Sequence, residues 1–134
     1  MTTLLQFADS APETLVARFD EVPDIVKHLD AVGVRFERWQ ASQPLAADAS
    51  AEAILAAYAA DIDRLKRERG YKTADVVRLK RGPGEADAGW AEKAKAARGK
   101  FLDEHTHSED EVRFFVEGSG MFCLHIAGHV HLLV

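Results

Sequence analysis

The octapeptide EHTHSEDE, residues 104–111, places two histidines and four acids in eight positions. Imidazoles and carboxylates are costly to bury and adjacent acids repel one another, so packing alone gives no reason for such crowding. A divalent cation supplies one, because it turns the repulsion into coordination. On a strand alternate side chains point the same way, so His105 and His107 can face one centre. Glu111 keeps that parity four residues on, provided Ser108, Glu109 and Asp110 bulge or turn. Two imidazoles and one carboxylate are the ligand set of open non-haem iron sites, and the mixture suits Fe(II), Ni(II), Mn(II) or Zn(II). An isolated H-x-H is a weak signal, often just two surface histidines on a strand. H-x-H-x3-E ahead of a hairpin is far more specific.

Parity extends the reading. Glu111, Arg113, Phe115 and Glu117 would share one strand face, and an even-numbered turn would set Phe122, Leu124 and Ile126 across from them. The metal would then sit among apolar walls with one cation, Arg113, beside it. A dry pocket strengthens charge interactions, so Arg113 is suited to hold an anionic substrate. An ion pair with Glu111 or Glu117 explains Arg113 equally well on parity alone. Glu109 and Asp110 read most simply as solvated turn acids. His129 and His131 repeat the H-x-H spacing with no acid following, and read as ordinary strand residues. His125 should face away from the site, His28 should lie on a helix surface, and Tyr58 reads as core.

The elements that must position these residues follow from periodicity. TTLLQF suggests a short strand. DEVPDIVKHLDAVG suggests a helix with Asp20 as its cap, Pro23 in the first turn, an apolar face of Ile25, Val26, Leu29 and Val32, and Gly33 as its stop. VRFERW alternates like a strand, with Val34 and Phe36 on one side, and QASQPLAADAS is a loop. From Ser50, a good N-cap, one helix is expected to about Arg69 with a stripe of Ile54, Leu55, Tyr58, Ile62 and Leu65; Gly70 closes it. ADVVRLK suggests a strand, RGPGEADAG a loop, and WAEKAKAARGK a shorter solvated helix. EVRFFVEGSGMFCLHI reads as two strands joined by a turn at Gly118 and Gly120, and HVHLLV as a third. The sequence as given stops at Val134 inside that apolar run, which predicts an exposed edge.

Composition bounds the rest. The chain has 134 residues, 47% hydrophobic and 29% charged, as expected of one soluble globular domain. A net charge of −5 with no basic stripe excludes the usual signature of nucleic-acid binding. No apolar run approaches the ~20 residues that span a bilayer. The N-terminal stretch lacks a secretory leader, and Cys123, the single cysteine, allows no internal disulfide. A cytoplasmic monomer is the expectation.

Gly99, His105, His107, Glu111 and Gly118 together reproduce the spacing of the first conserved motif of the cupin superfamily. The segments GVRFERWQA, AAYAADIDRLKRERGYKTADVVRL and KFLDEHTHSEDEVRFFVEGSGMFCLHI resemble the acireductone dioxygenases, cupin enzymes of methionine salvage, from about Val22 onward. The resemblance implies a jelly-roll β-barrel with flanking helices, incomplete at the C-terminal end. Residues 1–98 would form a helical and strand segment outside the barrel, and residues 99–134 the first motif and following strands. It implies one Fe(2+) or Ni(2+) per chain and the small molecules acireductone and O2 as partners. The Fe form would give formate and 4-methylthio-2-oxobutanoate; the Ni form would give formate, CO and 3-methylthiopropanoate. His105, His107 and Glu111 match family metal ligands, Arg113 matches the arginine that forms or holds the substrate dianion, and Glu104 and Asp110 match acids tied to metal incorporation and conformational relay. The family's remaining ligand, a histidine of a second motif after a proline, has no counterpart here, since the last proline is Pro83. A metal-binding cupin fragment without turnover is the rival reading; another cupin oxygenase or isomerase is disfavoured by the helical match.

Overall fold

A computed structural model describes residues 1–39, 43–84 and 86–134. The loops expected over 40–50 and 81–89 fall partly on 40–42 and 85, which lie outside the described residues. Two compact units emerge, one made of Met1–Ala41 with Arg113–Val134 and the other of Ser42–Val112. Among the described residues, four antiparallel strands and four helices are consistent with the expected incomplete cupin-like β fold with helices.

The first unit holds the sheet, in the order β2-β1-β4-β3. Strand β1, Leu4–Ala8, fulfils the expectation for TTLLQF. It turns through Ala11 and Thr14 into β2, Leu15–Phe19, which the sequence reading missed. LVARF does alternate, but Leu15 and Val16 are half exposed at the sheet edge, so no buried face announces the strand. Helix α1, Val22–Asp30, follows with Pro23 in its first turn. The expected cap at Asp20 is overturned. Glu21 occupies the cap position without a side-chain bond, and the Asp20 carboxylate accepts instead from the Thr3 hydroxyl at 2.7 Å and from the Arg18 guanidinium at 2.9 and 3.0 Å.

Leu4, Ile25 and Leu29 are wholly buried and form the core, flanked by Phe19, Val34, Phe36, Leu124 and Leu133. Burying each of the three central side chains contributes roughly 1.5–3 kcal/mol. Val34 and Phe36 reach the core as their alternation predicted, yet VRFERW pairs with no other strand among the described residues. His28 is half-buried and stacks on Phe19 with ring centroids 3.9 Å apart.

The expected hairpin at Gly118 and Gly120 is also overturned. Residues 111–116 form no strand, and only its second arm exists, as β3, Phe122–Ile126. That strand pairs with β4, His129–Leu133, with Ile126 opposite His129 across a two-residue turn. Ala127 (φ 51°) and Gly128 (φ 76°) both take the left-handed conformation that a tight hairpin of this hand requires. The glycine-bearing tight turn therefore follows β3 and does not precede it.

HVHLLV is a strand, but not an exposed edge. β4 lies between β1 and β3, and Val134 exchanges backbone hydrogen bonds with Thr3 at 2.9 and 3.0 Å. The edges are β2 and β3.

The second unit is helical. Ser50 caps α2, Ala51–Ala57, by accepting from the Ala53 N–H at 3.1 Å, as its position predicted. The single helix expected to Arg69 breaks at Tyr58 (φ −107°, ψ 17°), and α3, Ala59–Arg69, continues beyond it. Tyr58 is buried, so the break sits where the stripe packs. Gly70 (φ 73°) closes α3 with its N–H on the Lys66 carbonyl. ADVVRLK forms no strand, and its Val77 and Leu79 stay at least half exposed. Helix α4, Asp87–Gly99, starts three residues before the expected WAEKAKAARGK. Among the described residues no helix is long and apolar enough to cross a membrane.

Candidate metal centre

The residues that follow α4 have no regular secondary structure through Met121. His105, His107 and Glu111 therefore owe their placement to local turns and to each other, not to a strand pleat. His107 Nε2 lies 2.8 Å from Glu111 Oε2, so the imidazole N–H donates to the carboxylate. The His105 ring meets the His107 ring edge-on, with centroids 4.9 Å apart. His105 Nδ1 donates to the Asp103 carbonyl at 2.8 Å. That bond fixes the proton on Nδ1 and leaves Nε2 with its lone pair outward, the arrangement in which a ligating histidine is held by an outer partner.

All three side chains are exposed to solvent, with His107 at 51% and Glu111 at 34%. Among the described residues, no three His, Cys, Asp or Glu side chains converge closely enough to enclose a metal ion. What is brought together is the His107–Glu111 pair with His105 at its side. A proton now bridges a nitrogen and an oxygen that would both serve as donors to a borderline divalent cation, so the chemistry of the set fits such an ion.

Glu104 and Asp110 are exposed on the same segment. Arg113 is exposed and belongs to the first unit. The alternation that would aim Arg113 and Phe115 does not operate, because neither is on a strand. Within that unit Phe115 does pack near Phe122, at 5.7 Å between centroids, while Leu124 goes to the core.

Sequence reasoning passed over Asp103. Its contribution is a backbone carbonyl, which no side-chain pattern encodes. It also set aside His131, which is only 3% exposed. His131 Nδ1 accepts from Gln6 Nε2 at 3.2 Å, and Nε2 is buried without a hydrogen-bond partner. Burial, more than the nearby His129 charge, pushes this imidazole below the ordinary histidine value, and the Ile126 carbonyl opposes the shift only in part. His125 sits on β3 with Nε2 3.1 Å from the Asp9 carboxylate.

The sequence model described as "ARD/ARD' family" matches residues 3–134. An acireductone dioxygenase of Pseudomonas paraeruginosa (strain DSM 24068 / PA7) is 51% identical over 134 residues, covering all of this chain and 70% of that protein. One from Yersinia pseudotuberculosis serotype O:3 (strain YPIII) is 45% identical over the same span, again 70% of its length. A third, from Xanthomonas campestris pv. campestris (strain B100), is 49% identical over 131 residues, which are 98% of this chain and 65% of that protein.

Proposed function

Because the chain belongs to the ARD/ARD' family, we propose that it supplies the metal-binding motif and substrate arginine of a metal-dependent acireductone dioxygenase acting in methionine salvage. The observation that carries the reading is the 2.8 Å contact between His107 and Glu111, with His105 beside them and its Nδ1 anchored.

His105, His107 and Glu111 would hold the divalent ion, Fe(2+) or Ni(2+). When bound, that ion supplies a Lewis-acidic centre that favours the ionised enediol over the neutral one. The Asp103 carbonyl keeps His105 in the tautomer that presents Nε2. For both to hold the ion, His107 Nε2 would have to lose the proton it donates to Glu111, which would free that nitrogen and the Glu111 carboxylate as ligands. Arg113 has the charge to favour the substrate dianion, and its five N–H donors suit an oxyanion. Glu104 and Asp110 are proposed for metal incorporation and for relaying local rearrangement. Reaction with O2 cleaves the enediol to formate and 4-methylthio-2-oxobutanoate with iron, or to formate, CO and 3-methylthiopropanoate with nickel. The partners are acireductone and O2, with no nucleic acid or membrane, in a cytoplasmic monomer.

Oxygen uptake tests this directly. The full chain, loaded with either metal, should consume O2 when acireductone is added, with CO evolved only by the nickel form. A chain that retains metal yet consumes no O2 would sink the catalytic reading and leave a metal-binding cupin fragment.

A further inference from the structure

Arg113 stands on a segment without regular secondary structure, so neither a pleat nor a helical turn fixes the direction of its backbone. The two residues after it are phenylalanines, and each is seated on a different neighbour. Phe114 meets the Trp39 indole with centroids 5.0 Å apart. Phe115 meets Phe122, the first residue of β3, at 5.7 Å. All of these residues lie in the first unit. Tilted rings at such distances attract each other, so the chain just beyond Arg113 is held at two points.

A third contact is tighter. A side-chain carbon placed on Gly120 would fall 2.7 Å from Phe115 Cζ and 3.1 Å from Cε1, whereas carbons rest about 3.5–4.0 Å apart. Gly120 is not among the glycines of left-handed φ, so its backbone suits any residue. What excludes a side chain there is the Phe115 ring. Gly118 differs, because its φ of 88° is the left-handed conformation and a carbon added to it would meet nothing. The turn needs Gly118; the ring needs Gly120. Strand β3 is itself held in register by β4. A path of contact thus runs from the paired sheet through Phe122 to Phe115, two residues from Arg113. Phe115 stays 48% exposed, so the contact adds little to a core centred on Leu4, Ile25 and Leu29.

We propose that Phe115, seated against Gly120, is the positioning residue that orients Arg113 for its substrate, and that position 120 is glycine in order to admit the ring. The inference rests on the substrate role proposed for Arg113. It assigns no contact with substrate to Phe115 or Gly120; both act through the backbone that carries the guanidinium.

Nitrogen-15 NMR of the full chain, with metal content and acireductone kinetics measured on the same preparations, tests it. In Gly120→Ala the backbone amide and guanidinium Nε–H signals of Arg113 should shift. Phe115→Leu, which removes the ring without a clash, should shift them as well. Gly89→Ala, on α4 where an added carbon meets nothing, should not. Metal content should hold in every variant. Both of the first two variants should lose roughly tenfold in kcat/KM, short of the 10²-fold that a misplacement of about 1 Å can cost. On an Arg113→Ala background, Gly120→Ala should bring no further loss, because both changes act through one guanidinium. A merely structural role would add its loss to that of Arg113→Ala. Unmoved Arg113 signals in both variants, or additive losses, would overturn the proposal. Full turnover in Gly120→Ala beside slow turnover in Arg113→Ala would overturn the positioning alone, whereas full turnover in Arg113→Ala would remove the substrate role beneath it.

Discussion

His105-x-His107 and His129-x-His131 have the same spacing and opposite fates. The second pair lies on β4 inside a registered sheet, and its ring centroids stand 6.3 Å apart. His131 is buried against Gln6, and His129 Nδ1 donates to the Ala127 carbonyl at 3.2 Å. The first pair lies on an irregular, solvent-exposed segment with Glu111 in contact. Spacing alone does not make a ligand set. What separates the pairs is an acid within reach and the burial of one partner, since β4 leaves His129 exposed but encloses His131.

The sharpest way to break this contrast is to delete one histidine from each pair. His107→Ala should lower metal affinity by on the order of 10²-fold or more, since loss of even an outer partner of a ligand costs about 10–100-fold. His131→Ala should leave metal content unchanged while destabilising the sheet. Equal metal loss in both variants, by elemental analysis, would erase the distinction. Next in size is Arg113→Ala, which should keep the metal yet lower acireductone turnover roughly 10²-fold, the scale of one lost charge-assisted contact to a developing anion. Undiminished turnover would return Arg113 to a structural ion pair.

A smaller effect probes the buried His131 itself. The unfolded chain titrates His131 near 6.5 and the folded chain below it, so the unfolded state binds more protons in between. Stability from keeping this imidazole neutral is intact above about pH 6.5 and declines as pH falls toward the folded-state value. Urea melts from pH 7.5 to 5 should show that decline, and His131→Leu should flatten it; an unaltered slope in the variant would assign the dependence elsewhere. The smallest change lies in the other unit. Gly70→Ala puts a side chain on a φ of 73° and should cost about 1 kcal/mol in thermal melts, with both histidine pairs unaffected.

Local chemistry was legible wherever a residue acts on its neighbours. Ser50 and Gly70 mark helix ends by side-chain type and backbone freedom, and α1 follows from its apolar stripe. The His107–Glu111 contact follows from spacing too, although through a turn instead of the expected pleat. Sheet order was not legible. Nothing near Leu15 indicates that LVARF is an edge strand, and nothing near Val134 indicates that Thr3 will pair with it. EVRFFV has the composition of a strand, but a strand exists only through a partner, and composition does not supply one. The family was legible because residue identities in its motif and helices are specific in a way that periodicity is not.

The position of β4 between β1 and β3 has a kinetic consequence. Gln6 and His131 are separated by 125 residues, and the β1–β4 ladder needs both ends of that span. On a ribosome, β1 and β2 emerge early and can form only a two-stranded ribbon, which is marginal in water. The sheet must wait for residues 129–133 before its central pairing closes, and loops of that length close slowly against chain entropy. Helices α2 to α4 rest on local contacts and can form in the interval. Assembly of this sheet should therefore be limited by the meeting of β1 and β4, with the Leu4 side chain unprotected until then.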